Sequence, residues 1–241
     1  MRRLAIALVL ILVARSLWGS FSLSAQRGAE LIVDYQLQPF QITESQGFTQ
    51  IRIDDVDYPA VPGAPSVPFT EFKVAIPPYG SASYEILSST SENLSLPSRL
   101  QPVPTIDASA EFSEYQYIVD ESLYQQGSMA LISNAARLNF RGHPFYAFTF
   151  NPFSYDGDRQ LRVTTSAQIR ISLQGDISQR SSYQTDEISD LMIAQFLNPD
   201  NARYWQETQR NGVHYTDFDK SGWWMRIETD KPGMYKITAS Q

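Results

Sequence analysis

The 241-residue chain contains two histidines, His143 and His214, and no cysteine. Without cysteine there is no thiolate nucleophile and no Cys-x-x-Cys metal clip. Serine is abundant, but none sits in the G-x-S-x-G turn that lifts a hydroxyl above a sheet. His143 stands in "RGHPF", a tight turn ahead of an aromatic run, and His214 in a polar connector. Neither has a His-x-x-x-His partner, so no zinc set forms and both read as structural. Two acidic clusters, "DDVD" at 54–57 and "YDGDRQ" at 155–160, offer oxygen ligands. The first lacks the glycine spacing of an EF-hand loop, and the second reads better as a hairpin turn. Asn93-Leu94-Ser95 fits the glycosylation sequon, a short pattern of low specificity. No glycine loop cradles a phosphate, and no basic patch interleaves with aromatics. These residue types predict a chain with no catalytic set, no metal and no cofactor.

The elements around these residues read mainly as strands. "LRVTTSAQIRISL" alternates with period 2: Leu161, Val163, Thr165, Ala167, Ile169, Ile171 and Leu173 make one mostly apolar face, and Arg162, Thr164, Ser166, Gln168, Arg170 and Ser172 an entirely polar one. That is a half-buried antiparallel strand. Asp156-Gly157 before it is a strong turn pair, and "HPFYAFTFNPF" before that is aromatic-rich, so 144–153 and 161–173 are expected to form a hairpin. "FTEFKVAI" places Thr70, Phe72, Val74 and Ile76 on one face, and "TQIRID" places Ile51 and Ile53 together. "SMALISNAARLNF" fits either a strand or a short helix. The Ser- and Pro-rich stretch 88–116 is expected as a long loop or surface arm. Short strands separated by Pro/Gly turns give an all-β fold, an antiparallel β-sandwich. Past Gly175 the pattern changes. "DISQRSSYQ" is polar, then 185–197 reads as a short amphipathic helix with Ile188, Leu191, Met192 and Phe196 inward, stopped by Asn198-Pro199. "GWWMRIETDKPGMYKIT" reads as a hairpin about Pro232-Gly233.

The N-terminus has the three-part layout of a secretory signal. Arg2 and Arg3 are followed by the apolar run Leu4–Val13, and Leu23-Ser24-Ala25 offers a small-residue cleavage site after Ala25. Arg15 interrupts the run well short of the ~20 residues that a spanning helix needs. No later apolar stretch approaches that length, so the mature chain is expected to have no transmembrane segment and to be secreted, periplasmic or on the cell surface. Loss of Arg2, Arg3 and Arg15 takes the formal charge from −7 to −10. That charge repels phosphate backbones and argues against a nucleic-acid partner. An exported chain without cysteine has no disulfides, so its core alone must hold it.

Against this background "PGAPSVPFTEFKVAIPPYG" at 62–80 is distinctive. Its Gly63, Pro65, Pro68, Val74, Ile76 and Pro77, followed by "LQPVP" at 100–104, Arg141-Gly142 and Asn151-Pro152 in order, resemble the propeptide of gingipain-type (C25-like) cysteine peptidases. The closing Trp224, Ile227, Gly233, Tyr235, Lys236 and Ile237 resemble a unit found before the peptidase domain in related precursors, including the sortase of the type IX secretion system. The likeness runs from about Asp57 to Ile237. The family's peptidase domain, with its Cys and His, has no counterpart in this sequence.

The resemblance implies a non-catalytic propeptide that assists folding of a cognate cysteine peptidase domain and keeps it latent. The alternative is a stand-alone β-sandwich binding or adhesion module on the cell surface. The expected organisation is a signal peptide at 1–25, a β-sandwich propeptide domain at 26–177, a linker with a short helix at 178–215, and the start of a second β unit, apparently truncated, at 216–241. The resemblance also implies a basic side chain that fills an acidic specificity pocket. Arg99 in the long stretch, and Arg141 and Arg159 in turns, are the candidates. Arg180 and Arg203, in or near the connector, are candidates for maturation cleavage.

Overall fold

The computed structural model describes residues 21–107, 114–127, 129–178, 180 and 186–207. His214 and the hairpin expected at 216–241 lie outside the described residues. In chain order the strands are β1 (Phe21–Arg27), β2 (Glu30–Gln36), β3 (Gln41–Ser45), β4 (Phe48–Arg52), β5 (Thr70–Ala75), β6 (Ser81–Ser95), β7 (Thr105–Asp107) and β8 (Glu114–Gln116). After α1 (Glu121–Tyr124) come β9 (Ile132–Phe140), β10 (His143–Phe150), β11 (Phe153–Tyr155) and β12 (Gln160–Gln174), then α2 (Glu187–Ile193) and α3 (Pro199–Ala202).

β12 organises the fold. One edge pairs antiparallel with β2 and β11, and the other pairs along its whole length with β6; β1 adds outside β2. This sheet faces a second one, ordered β5-β10-β9. Leu31, Val33 and Tyr35 of β2 and Ile169 and Ile171 of β12 meet Phe72, Val74, Phe148 and Phe150 across the gap, forming a sandwich core. A second core joins Ile51, Leu96, Leu100, Tyr124, Phe153, Tyr155, Leu161 and Val163. The period-2 pattern of β12 is realised at Leu161, Val163, Ala167, Ile169, Ile171 and Leu173, all buried, but slips at a register shift in the middle, where Thr164 is buried and Thr165 is not. Phe72, Val74 and Ile76 are buried likewise.

Three expectations are corrected. Of the run 144–153, only Phe153 pairs with 161–173. β10 is the middle strand of the other sheet, and only β11 turns back onto β12 through Asp156-Gly157. The switch falls at Asn151-Pro152. Asn151 is buried and tied to the 130–131 backbone by its N–H (2.8 Å to Leu131 O) and by its side-chain amide (2.8 Å to Ala130 O). Pro152 adds no donor there, and its carbonyl accepts from Thr164 N–H at 2.7 Å. The stretch 88–116 is not one loop. Residues 88–95 finish the 15-residue β6, and 105–116 carry β7 and β8. β6 is an edge strand, largely solvated on both faces, so its sequence shows no apolar alternation. α2 does not bury the expected stripe. Ser189 and Ile193 face the core, whereas Ile188 (52% exposed) and Leu191 (65% exposed) face out. Phe196 is buried, but it lies beyond the helix and bridges Lys73 of β5. The ambiguous stretch before the Arg141-Gly142 turn is a strand, β9.

Candidate functional site

The two proline motifs that stood far apart in the sequence are partners in space. The 61–66 turn lies antiparallel to 101–103, with Pro65 opposite Pro102. Gly63 N–H donates to Val103 O (2.9 Å), Val103 N–H to Ala64 O (2.8 Å) and Ser66 N–H to Gln101 O (2.9 Å). The prolines take the ladder positions from which no donor is needed. Gly63 requires its glycine, because φ is +81° and an added Cβ would lie 3.0 Å from Asp120 Cβ.

This ladder holds the base of the β7–β8 hairpin. The chain enters the hairpin after Pro104 and leaves it through 117–120 into α1. Asp120 N–H donates to Gly63 O at 3.1 Å, so one turn grips both feet. Arg99, before the hairpin, forms a fork with Glu121, after it: Nη1–Oε1 is 2.8 Å and Nη2–Oε2 is 3.0 Å. The guanidinium also covers the Tyr124 ring at 4.5 Å. The Glu121 carboxylate pushes the Arg99 pKa up, and Arg99 in return holds Glu121 below its ordinary value. Tyr124 is buried, which raises its phenol pKa, and its hydroxyl donates to Leu100 O at 2.7 Å. The β11–β12 turn closes the same end. Gly157, at φ +90°, lies so near α1 that a Cβ would meet Tyr124 O at 2.5 Å. Around this base Tyr58, Val61, Tyr115 and Ile118 are exposed. A cavity of about 260 Å³ opens beside it, lined by Gln50, Ile51, Tyr58, Ser66 and Gln101 among others.

A second feature lies over the β5-β10-β9 sheet. Residues 186–207 form a strap that carries α2 and α3, and Ile193, Phe196, Ala202 and Trp205 sink into the sandwich core. Polar contacts fasten it. Asn198 mimics a strand partner for Ala75, accepting its N–H at 2.8 Å and donating to its carbonyl at 3.0 Å. His143 is buried, with Nδ1 2.9 Å from Ala202 O and Nε2 3.0 Å from the Gln206 amide nitrogen. Glu207 ends the strap. Its carboxylate accepts from Tyr79 N–H (2.7 Å), Asn139 Nδ2 (2.7 Å) and Arg137, and its own N–H donates to Gly142 O at 2.7 Å. At the other end Asp186 caps α2 through Ile188 N–H and Ser189 N–H and pairs with Arg141 at 2.6 Å.

The structure divides the candidate arginines into two groups. Arg99 and Arg159 share the hairpin end, where both lie by the Tyr155 hydroxyl. Arg99 is committed to Glu121. Arg159 is exposed, at φ +63°, and its carbonyl accepts from Leu96 N–H at 2.7 Å. The other three gather about the strap: Arg141 on Asp186, Arg180 stacked on Tyr204 at 4.7 Å, and Arg203 exposed at the end of α3. Ala25 lies inside β1, opposite Ile32. Glu121 and Glu207 escaped the sequence reading, and Gly157 and Asn198 were read only as a turn and a helix stop. Only the Asp-Glu start of α1 carried a legible signal, an N-cap followed by first-turn acid. The others act on partners many residues away.

The family model Propeptide_C25 matches residues 29–203, a span that begins just before β2 and ends in the strap. The chain belongs to this C25 propeptide family. It is accordingly a non-catalytic propeptide region of a gingipain-like cysteine peptidase precursor. The fold of this C25 propeptide is similar to a chain in the complex of Porphyromonas gingivalis RgpB pro- and mature domains. That likeness has a TM-score of 0.60 at 14% identity and covers 75% of this chain and 97% of that one. It is also similar to a structure of gingipain K from Porphyromonas gingivalis described as giving insight into zymogenic latency, with a TM-score of 0.53 at 20% identity, covering 66% of this chain and 95% of that one. No curated protein matches the sequence.

Proposed function

We propose that this C25 propeptide keeps its cognate peptidase domain latent by docking through the end that carries the β7–β8 hairpin. The observation that carries this reading is the double grip on the hairpin's feet, Arg99–Glu121 and Gly63 between Val103 and Asp120. A hairpin fixed at its base loses less conformational freedom when it enters a partner's cleft, so more of the contact energy appears as affinity. Exposed Val61, Tyr115 and Ile118 around the base supply apolar contact area. Arg99 acts here as a strut for the hairpin and not as the side chain that enters a specificity pocket. Of the other candidate inhibitory arginines, Arg159 lies at this end and Arg141 lies at the strap. Binding to the folded peptidase alone would also stabilise it by mass action, which is how a propeptide assists folding. The gingipain complexes among similar folds support a peptidase partner, and the basic-apolar start of the chain supports export as a precursor.

The test is inhibition of a gingipain-type cysteine peptidase by the purified chain. Replacing 105–116 with a short glycine linker should abolish inhibition while the urea midpoint changes little. Arg99→Met should weaken inhibition at least tenfold. Inhibition that survives removal of the hairpin would refute this docking mode.

A further inference from the structure

The first described strand bears on where the secretory leader is removed. β1 runs Phe21–Arg27 and pairs antiparallel with β2 from Phe21↔Tyr35 to Arg27↔Glu30. Its first residue, half-buried, packs against the sandwich core. The Phe21 ring lies 4.6 Å from Phe72, 5.1 Å from Tyr35 and 5.2 Å from Phe150, and Leu23 packs against the same cluster. Cleavage after Ala25 would remove five of the seven residues of β1, including Phe21 and Leu23, the two that pack against the core. It would leave most of the β2 edge unpaired and expose the aromatic cluster further to water.

We infer that the leader is cut upstream of Phe21, at the Ser16–Leu17 bond, and that β1 belongs to the exported propeptide. This rests on the secretory reading of the N-terminus. The sequence carries the required small pair there: Ala14-Arg15-Ser16 follows directly on the apolar run ending at Val13. Leu23-Ser24-Ala25 has a bulkier residue at the first position of the triplet and lies nine residues further on. Hydrolysis by a signal peptidase adds one water across the Ser16–Leu17 bond, leaving a carboxylate on Ser16 and a new amino group on Leu17. The exported chain then retains Phe21, Leu23 and the whole of β1.

The experiment expresses the full chain with its own leader in a Gram-negative host and determines the N-terminus of the exported product. The expected result is Leu17. Ser16→Arg should block processing, whereas Ala25→Arg should leave it unchanged, because the leader is cut before the strand folds. As an independent readout, the chain starting at Gln26 should melt at least about 6 °C below the chain starting at Leu17, given ~2–4 °C per kcal/mol at this size. A product starting at Gln26, or equal melting of the two chains, overturns the inference. A product that is exported nowhere and never processed overturns the secretory reading instead, so the two failures are distinguishable.

Discussion

Removal of the Glu207 carboxylate should unfasten the strap without unfolding the sandwich. The side chain is 13% exposed and accepts from Tyr79 N–H, Asn139 and Arg137 at once. A hydrogen bond to a charged group contributes ~1.5–3 kcal/mol. Arg137 is about a third exposed, so its ion pair is discounted for screening. Taken together, Glu207→Ala should cost the docked strap about 2–3 kcal/mol, which at 1.4 kcal/mol per decade opens it roughly 30- to 150-fold more often. Native-state hydrogen exchange reads this directly. The amides of Leu197, Ala202 and Trp205, bonded to Lys73, Asn198 and Asn201, should exchange faster by that factor, while those of β12 stay protected. Trypsin cleavage after Arg203 should accelerate in parallel. Arg203 sits in helical backbone between buried Ala202 and buried Trp205, and a protease needs it extended. Glu207→Gln keeps an acceptor and should fall between the two. Strap amides that exchange at the wild-type rate in Glu207→Ala, or strap and β12 amides that accelerate together, would refute an independently opening strap.

Trp205→Ala leaves a large void under the strap and should lower stability by about 3–5 kcal/mol; chemical denaturation measures it, and a change below 1 kcal/mol would contradict the burial. Gly157→Ala places a Cβ against Tyr124 O at φ +90°, so a loss of ~1–3 kcal/mol is expected together with weaker peptidase inhibition as α1 shifts; wild-type stability and inhibition would count against it. Asp186, Glu121 and Asp120 all titrate below their ordinary values, chiefly through hydrogen bonds from Ser189, Arg99 and Ser122 respectively. A depressed carboxyl stabilises the fold above its unfolded pKa and loses that contribution as pH falls through the folded one, so urea midpoints should be flat from pH 7 to 5 and drop below about pH 4. Asp186→Asn should shallow that acid limb; an unchanged limb would remove Asp186 from the account.

The sandwich was largely legible in the sequence where a strand has one wet and one dry face. β12 and β5 alternate because each is half-buried, and their inward residues are those that the pattern names. Legibility failed where that condition failed. β6 is polar on both faces, so a 15-residue strand reads as loop. β10 is apolar on both faces, and its run of rings shows that it is central without showing which strands flank it. Adjacency in the chain suggested β12, but Asn151-Pro152 diverts the chain to the other sheet. α2 has seven residues, too few for one helical stripe to outweigh another, and Ser189 rather than Leu191 faces inward. The hairpin end was half visible. The proline motifs and Arg99 were picked out as separate features, but that 61–66 pairs with 101–103, and that Arg99 pairs with Glu121, depends on chain closure that no local pattern records.

The Asn151-Pro152 corner ties the two hydrophobic cores into a single mechanical unit. The run entering it contributes Phe145, Phe148 and Phe150 to the sandwich core, and the run leaving it contributes Phe153 and Tyr155 to the second. β12 repeats the arrangement in reverse, with Leu161 and Val163 in the second core and Ala167 to Leu173 in the first. Two continuous strings thus pass through both cores and neighbour each other at the second. Neither core can melt without pulling rigid strand out of its counterpart, so the hairpin end inherits the cooperativity of the whole sandwich. Under the proposed docking mode, such a propeptide would let go of its peptidase abruptly, when the sandwich yields, rather than by gradual softening of the hairpin end.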